Sequence, residues 1–94
     1  MKSHIWLSPA SGKICAQLLA LQAEAQVPTF IRLRSSHGLA KRREEVRRLS
    51  GIVASLCTSL EGTPYVVDAD AARARVLKAH RRLSAEIARR RVAR

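Results

Sequence analysis

Cysteines and aromatic residues are both scarce in this chain of 94 residues. The cysteines are Cys15 and Cys57, without a CxxC motif or a Cys/His cluster, so we expect neither a disulfide framework nor a zinc site. Both thiols are predicted to be small buried hydrophobic groups, although the sequence leaves their pairing open. The aromatic residues Trp6, Phe30 and Tyr65 are expected in a small core rather than in a base-stacking platform. No apolar run approaches the roughly 18 residues of a membrane span, so the chain is not expected to be membrane-spanning.

Targeting segments and motifs of catalysis are also missing. The N-terminus resembles neither a secretory signal nor a cleavable, Arg-rich mitochondrial presequence. The segment "LSPASGK" (7–13) is not a P-loop, because Leu7 stands where the first glycine belongs and Ile14 follows Lys13. There is no GxGxxG motif and no evident Ser/His/Asp arrangement. These absences predict a protein that is not an enzyme and that has no cofactor, metal or small-molecule substrate.

Acidic residues are few as well, because seven of them face 18 lysines and arginines in a chain with a net charge of +11. The excess is uneven: residues 32–48 carry a net charge of +5 and residues 73–94 carry +8, whereas residues 49–72 carry −3. Such asymmetry predicts an anionic partner, which could be RNA, DNA, anionic lipid or an acidic protein surface. The candidate partner-contact residues are Arg32, Arg34, Arg73, Arg75, Arg81, Arg82, Arg89, Arg90 and Arg91.

The first half of the chain alternates between short apolar segments and helical patterns. "HIWL" (4–7) is predicted to be a strand, and Ser8 or Ser11 then caps a helix whose apolar stripe comprises Ile14, Leu18, Leu21 and Ala25. Pro28 is expected to end that helix. "TFIRLR" (29–34) alternates apolar and basic residues, which predicts an edge strand. A second helix is expected over 39–51.

Residues 51–67 allow two interpretations. In one, the second helix continues to Leu60 with a heptad pattern of apolar residues. In the other, which we favour, Gly51 ends the helix, and strands at 52–58 and 64–67 form a hairpin. A last helix is predicted after an Asp68 or Asp70 cap. Its apolar stripe comprises Val76, His80, Leu83 and Ile87.

This order predicts an α/β fold with β-α-β-α-β-β-α topology, which is the thioredoxin-like arrangement of a four-stranded mixed sheet. The predicted domain covers residues 1–87, and residues 88–94 form a basic C-terminal extension. The alternative is an all-α three-helix domain, in which residues 39–60 are one helix.

Three motifs carry a resemblance to a known family: "IWLSPASG", "VPTFIRLRSS" and "TPYVVDADAARARVL". Over roughly residues 3–84 the chain resembles the small thioredoxin-fold accessory subunit of mitochondrial complex I and its relatives among mitochondrial ribosomal proteins. The resemblance implies a non-catalytic subunit of the respiratory chain on the matrix side of the mitochondrion, without a cleavable presequence, whose partners are other subunits of a large assembly.

The chain departs from the complex I subunit in two places. Residues 52–63 lack the expected aromatic-Gly pattern, and the basic tail 85–94 is longer than expected. The tail favours the ribosomal relatives, which would contact rRNA through the basic C-terminal helix. A third hypothesis is a small, basic, all-helical regulator that binds nucleic acid.

Overall fold

The computed structural model describes residues 8–92, which form three α-helices and one short 3₁₀ turn. Helix α1 covers Pro9–Ala25, helix α2 covers Ser36–Ser59 and helix α3 covers Val66–Val92. The 3₁₀ turn, Ile31–Leu33, lies in the connection between α1 and α2. Helix α3 packs against both other helices, whereas α1 and α2 touch each other less. The molecule is elongated, with extents of 52 × 27 × 19 Å.

The thioredoxin-like prediction is wrong, because no residue from 8 to 92 lies in a β-strand. The predicted strand at 4–7 lies outside the described residues. The all-α three-helix alternative is the fold that the structure has. The predicted boundary between residues 87 and 88 falls inside α3, which is continuous to Val92.

Helix α2 is continuous through the segment that was expected to form a hairpin. It runs to Ser59, and Val46, Leu49 and Val53 are buried along one face. A glycine within a helix costs about 1 kcal/mol relative to alanine. Burying Val53 and Cys57 outweighs that cost, since each buried apolar side chain contributes about 1.5–3 kcal/mol.

The segment 29–34 is not a strand either. After Pro28 the backbone turns, and the Leu33 N–H donates to the Phe30 carbonyl at 3.0 Å. Only Ile31 is partly buried against the core, while the Leu33 side chain is 81% exposed. The alternation of apolar and basic residues therefore does not reflect a half-buried sheet edge. Its exposed apolar side chains instead belong to a connection between helices.

Helix α1 buries the face opposite to the one that was predicted to be buried. Its N-cap is confirmed as Ser8, whose Oγ accepts from the Ser11 N–H at 3.2 Å. The buried positions are small residues: Gly12, Ala16, Ala20 and Ala23. A Cβ placed on Gly12 would lie 3.2 Å from a methyl group of Leu60, so this face approaches its neighbours closely.

The stripe expected to face the core is exposed instead. Ile14 is 54% exposed, Leu18 56% and Leu21 54%. The prediction was wrong because α1 carries two faces of helical spacing, one of large and one of small apolar residues. Because α1 packs closely on α3, the face of small residues is the one that is buried.

The core lies between the three helices and is made of aliphatic side chains. Its largest fully buried members are Leu39, Leu49, Leu83, Val46, Val53 and Val76. In the predicted stripe of α3, burial of Val76, Leu83 and Ile87 is confirmed, while His80 is half-buried with its Nδ1 3.5 Å from the Ser84 Oγ. Both cysteines are free thiols. Cys57 is buried as predicted, and burial raises the pKa of its thiol.

Candidate functional site: an arginine-rich surface

Within residues 8–92, no three His, Cys, Asp or Glu side chains come together in a way that could hold a metal ion. None of the described helices is both long and apolar enough to cross a membrane. The prominent chemical feature of the described surface is its charge. An anionic ligand could bind where cations have no carboxylate partner within the chain.

Five carboxylates of the described chain are engaged in ion pairs. Those pairs are Glu24–Arg75, Glu44–Arg47, Glu45–Arg48, Asp68–Lys13 and Glu86 with both Arg89 and Arg90. The Glu24–Arg75 pair joins α1 to α3, with Nη2 to Oε1 at 2.6 Å. The hydrogen bonds from Arg75 hold the pKa of the Glu24 carboxyl below its ordinary value.

Arg90 organises one end of the molecule. Its Nη2 donates to the carbonyls of Ile31 and Arg32 at 3.2 Å each, and its Nη1 donates to the Ser36 Oγ at 3.2 Å. The last turns of α3 are thereby held against the 3₁₀ turn and the first turn of α2. Arg90 was predicted to contact a partner, but its guanidinium is occupied within the chain.

Glu86 holds the arginines of this end in place. Its carboxylate is buried, with 7% of the residue exposed, and accepts from Arg89 at 2.5 and 3.1 Å and from Arg90 at 2.9 Å. These hydrogen bonds lower the pKa of Glu86 to about 2, so the group stays ionised at neutral pH. Its single negative charge faces two guanidinium groups, and the cluster remains net positive.

We call the surface formed by residues 30–43 and 89–91 the basic end. Among the described residues, several of its cations have no carboxylate within 4 Å: Arg32, Arg34, Lys41, Arg42, Arg43 and Arg91. Three of them, Lys41 to Arg43, lie in the first half of α2 and were missed as individual contact residues. The run "KRR" was the available signal in the sequence.

A groove between α2 and α3 leads away from the basic end. One part is lined by Ser36, His37, Arg43 and Arg91, with a volume of about 570 Å³. The next part, of about 540 Å³, is lined by Arg43, the Glu44–Arg47 ion pair and His80. Arg43 thus connects the two parts of the groove.

The other side of α3 carries a second row of cations. Lys78 and Arg82 line a groove of about 250 Å³ together with Val27 and the Glu24–Arg75 pair. Neither Lys78 nor Arg82 has a carboxylate within 4 Å among the described residues. Because Val27 leads directly into the α1–α2 connection, this row adjoins the basic end.

The predicted contact residues therefore do not form one group. Arg32, Arg34 and Arg91 lie at the basic end, whereas Arg81 and Arg82 are exposed further back along α3. Arg75, Arg89 and Arg90 are bound to carboxylates of the chain. Arg73 lies apart, beside Cys57 at the other end of α3.

The opposite end of the molecule carries little net charge, because its carboxylates offset Lys13 and Arg73. The turn between α2 and α3 and the first turns of α3 contain Glu61, Asp68 and Asp70. Asp68 lies 4.0 Å from the Lys13 Nζ, while Glu61 and Asp70 have no cation within 4 Å among the described residues. The chain is thus polarised along its long axis, which orients an approaching polyanion toward the basic end.

Comparison with protein-family models, curated protein sequences and solved structures finds no match to this chain.

Proposed function

We propose that this chain is a non-catalytic nucleic-acid-binding protein whose basic end contacts the phosphate backbone. The observation that carries the proposal is the group of cations at that end without carboxylate partners; Lys78 and Arg82 line a further groove, which shares Val27 with the pocket at the α1–α2 connection. A connected row of lysines and arginines is what neutralises successive phosphates. A polarised charge distribution also favours rapid, oriented encounter with such a ligand.

This proposal corresponds to the third hypothesis from the sequence, a nucleic-acid-binding regulator that is all-helical if residues 39–60 form one helix. Membership of complex I or of a mitochondrial ribosome, and a mitochondrial location, stay predictions. The resemblance that suggests them depends on segments predicted to be strands, and in residues 8–92 these segments form a 3₁₀ turn and parts of helices. The conformation of these segments therefore adds no support to the resemblance.

The test is the salt dependence of binding to a labelled oligonucleotide, followed by fluorescence anisotropy. If four to six phosphates are neutralised, the logarithm of the association constant should fall with the logarithm of salt concentration with a slope of about −3 to −5. A slope near zero, or no binding at about 50 mM salt, would contradict the proposal.

A pair of variants on α2 sharpens the test. Arg43→Gln removes a cation without a carboxylate partner, whereas Arg48→Gln removes one that is bound to Glu45 at 2.5 Å. Both lower the net charge by one. We expect Arg43→Gln to weaken binding about 3- to 10-fold and to reduce the slope by about 1, with a smaller effect of Arg48→Gln. Equal effects would mean that net charge, and not the basic end, governs binding.

A further inference from the structure

Phe30 is a large apolar side chain exposed at the basic end. It is 70% exposed, although the chain has only three aromatic residues and we expected all of them in the core. Together with Leu33, Arg34 and Arg42 it lines an open pocket of about 770 Å³ at the α1–α2 connection. An aromatic ring beside guanidinium groups is the combination that binds unpaired nucleobases and their phosphates.

The backbone around Phe30 is held on both sides. The Arg42 Nη1 donates to the Gln26 carbonyl at 3.3 Å, four residues before Phe30. On the other side, Arg90 donates to the Ile31 carbonyl at 3.2 Å. The ring is therefore presented from a connection that is tied to both α2 and α3. Such preorganisation lowers the entropic cost of binding.

We propose that this pocket binds an unpaired base of single-stranded nucleic acid, which stacks on the Phe30 ring while Arg34 and Arg42 contact the flanking phosphates. The inference rests on the proposed function and adds the class of ligand to it. A base within a duplex has both faces covered by its neighbours, so the ring discriminates in favour of single strands. The basic end without Phe30 would bind either form through charge alone.

The experiment compares three probes of equal length, about 12 nucleotides: oligothymidylate, an oligomer of abasic sites and a duplex. Phe30→Ala should weaken binding of oligothymidylate about 5- to 150-fold, which is the range for loss of one stacked base. Phe30→Ala should leave the affinity for the abasic and duplex probes unchanged. Phe30→Trp, which keeps an aromatic ring, should bind oligothymidylate as the wild-type chain does. Val67→Ala, which removes a similarly exposed apolar side chain at the start of α3 and outside this pocket, serves as the matched control.

The outcomes separate this inference from the function on which it depends. If wild-type protein binds none of the probes, the proposed function fails. If it binds all three equally, or if Phe30→Ala changes all three alike, stacking on Phe30 is excluded while charge-based binding stands. A Phe30→Ala effect confined to anionic phosphatidylserine vesicles would overturn the inference in favour of a lipid surface. Because Phe30 is exposed, its replacement should leave the helical circular dichroism signal intact.

Discussion

Gly51 offers the sharpest test of the helical fold, because its substitution has opposite signs in the two interpretations of residues 51–67. In the structure Gly51 lies inside α2, is exposed, and has open space around the position that a Cβ would take. Alanine is favoured over glycine in a helix interior by about 0.8–1 kcal/mol, so Gly51→Ala should raise the free energy of unfolding by that amount. In a domain of this size the change corresponds to a rise in Tm of about 4–8 °C.

Gly62 provides the matched control. It too is exposed with open space around it, but its φ is +82°, in the region that only glycine adopts without strain. Gly62→Ala should therefore lower the free energy of unfolding by about 1 kcal/mol or somewhat more. Urea denaturation followed by far-UV circular dichroism measures both variants. If Gly51→Ala destabilises the protein as Gly62→Ala does, Gly51 ends a helix and the continuous α2 is refuted.

Two further predictions concern the basic end and the core. Because bonds from Arg89 and Arg90 lower the folded-state pKa of Glu86 to about 2 from an ordinary 4.5, this carboxylate stabilises the fold fully above about pH 4.5, and the contribution is lost as the pH falls through 2. Glu86→Gln should therefore be less stable than wild type at pH 7, with a difference that shrinks steadily below pH 4.5; a difference independent of pH would show that the carboxylate's charge is immaterial. Leu83→Ala removes a fully buried side chain and should cost about 2–5 kcal/mol in urea denaturation, whereas Leu33→Ala, at an exposed site, should change stability by less than about 0.5 kcal/mol. Similar losses for the two leucines would place Leu83 outside the core.

The sequence predicted the positive charge of the candidate site, but only some of the residues that form it. The excess of arginine over acidic residues is a property of the composition, and it alone indicated an anionic partner. The sequence could not distinguish Arg90, whose guanidinium bonds the Ile31 and Arg32 carbonyls, from Arg91, which lines the open groove. Adjacent residues of a helix point about 100° apart, and only the packed neighbours decide which one is used internally.

The fold was predictable where one apolar face dominates a helix. The period of Val76, Leu83 and Ile87 in α3 correctly predicted both the helix and its buried side. Helix α1 is apolar on two sides, so its period indicated a helix without indicating its orientation. The local signals at residues 51–67 favoured a hairpin. Helix propensity includes the cost of Gly51 within a helix, but it does not include the free energy gained when Val53 and Cys57 are buried in the core.

The sequence by itself determined the helical periods of α1 and α3, a serine cap for α1, the end of α1 before Pro28 and the cationic character of the chain. These depend on interactions within a few residues or on composition alone. Tertiary structure decided that α2 is continuous, that the small-residue face of α1 is buried, and that residues 29–34 form a turn held by Arg90. Each of these depends on contacts between residues far apart in the chain, whose free energy exceeds the local preferences that pointed elsewhere.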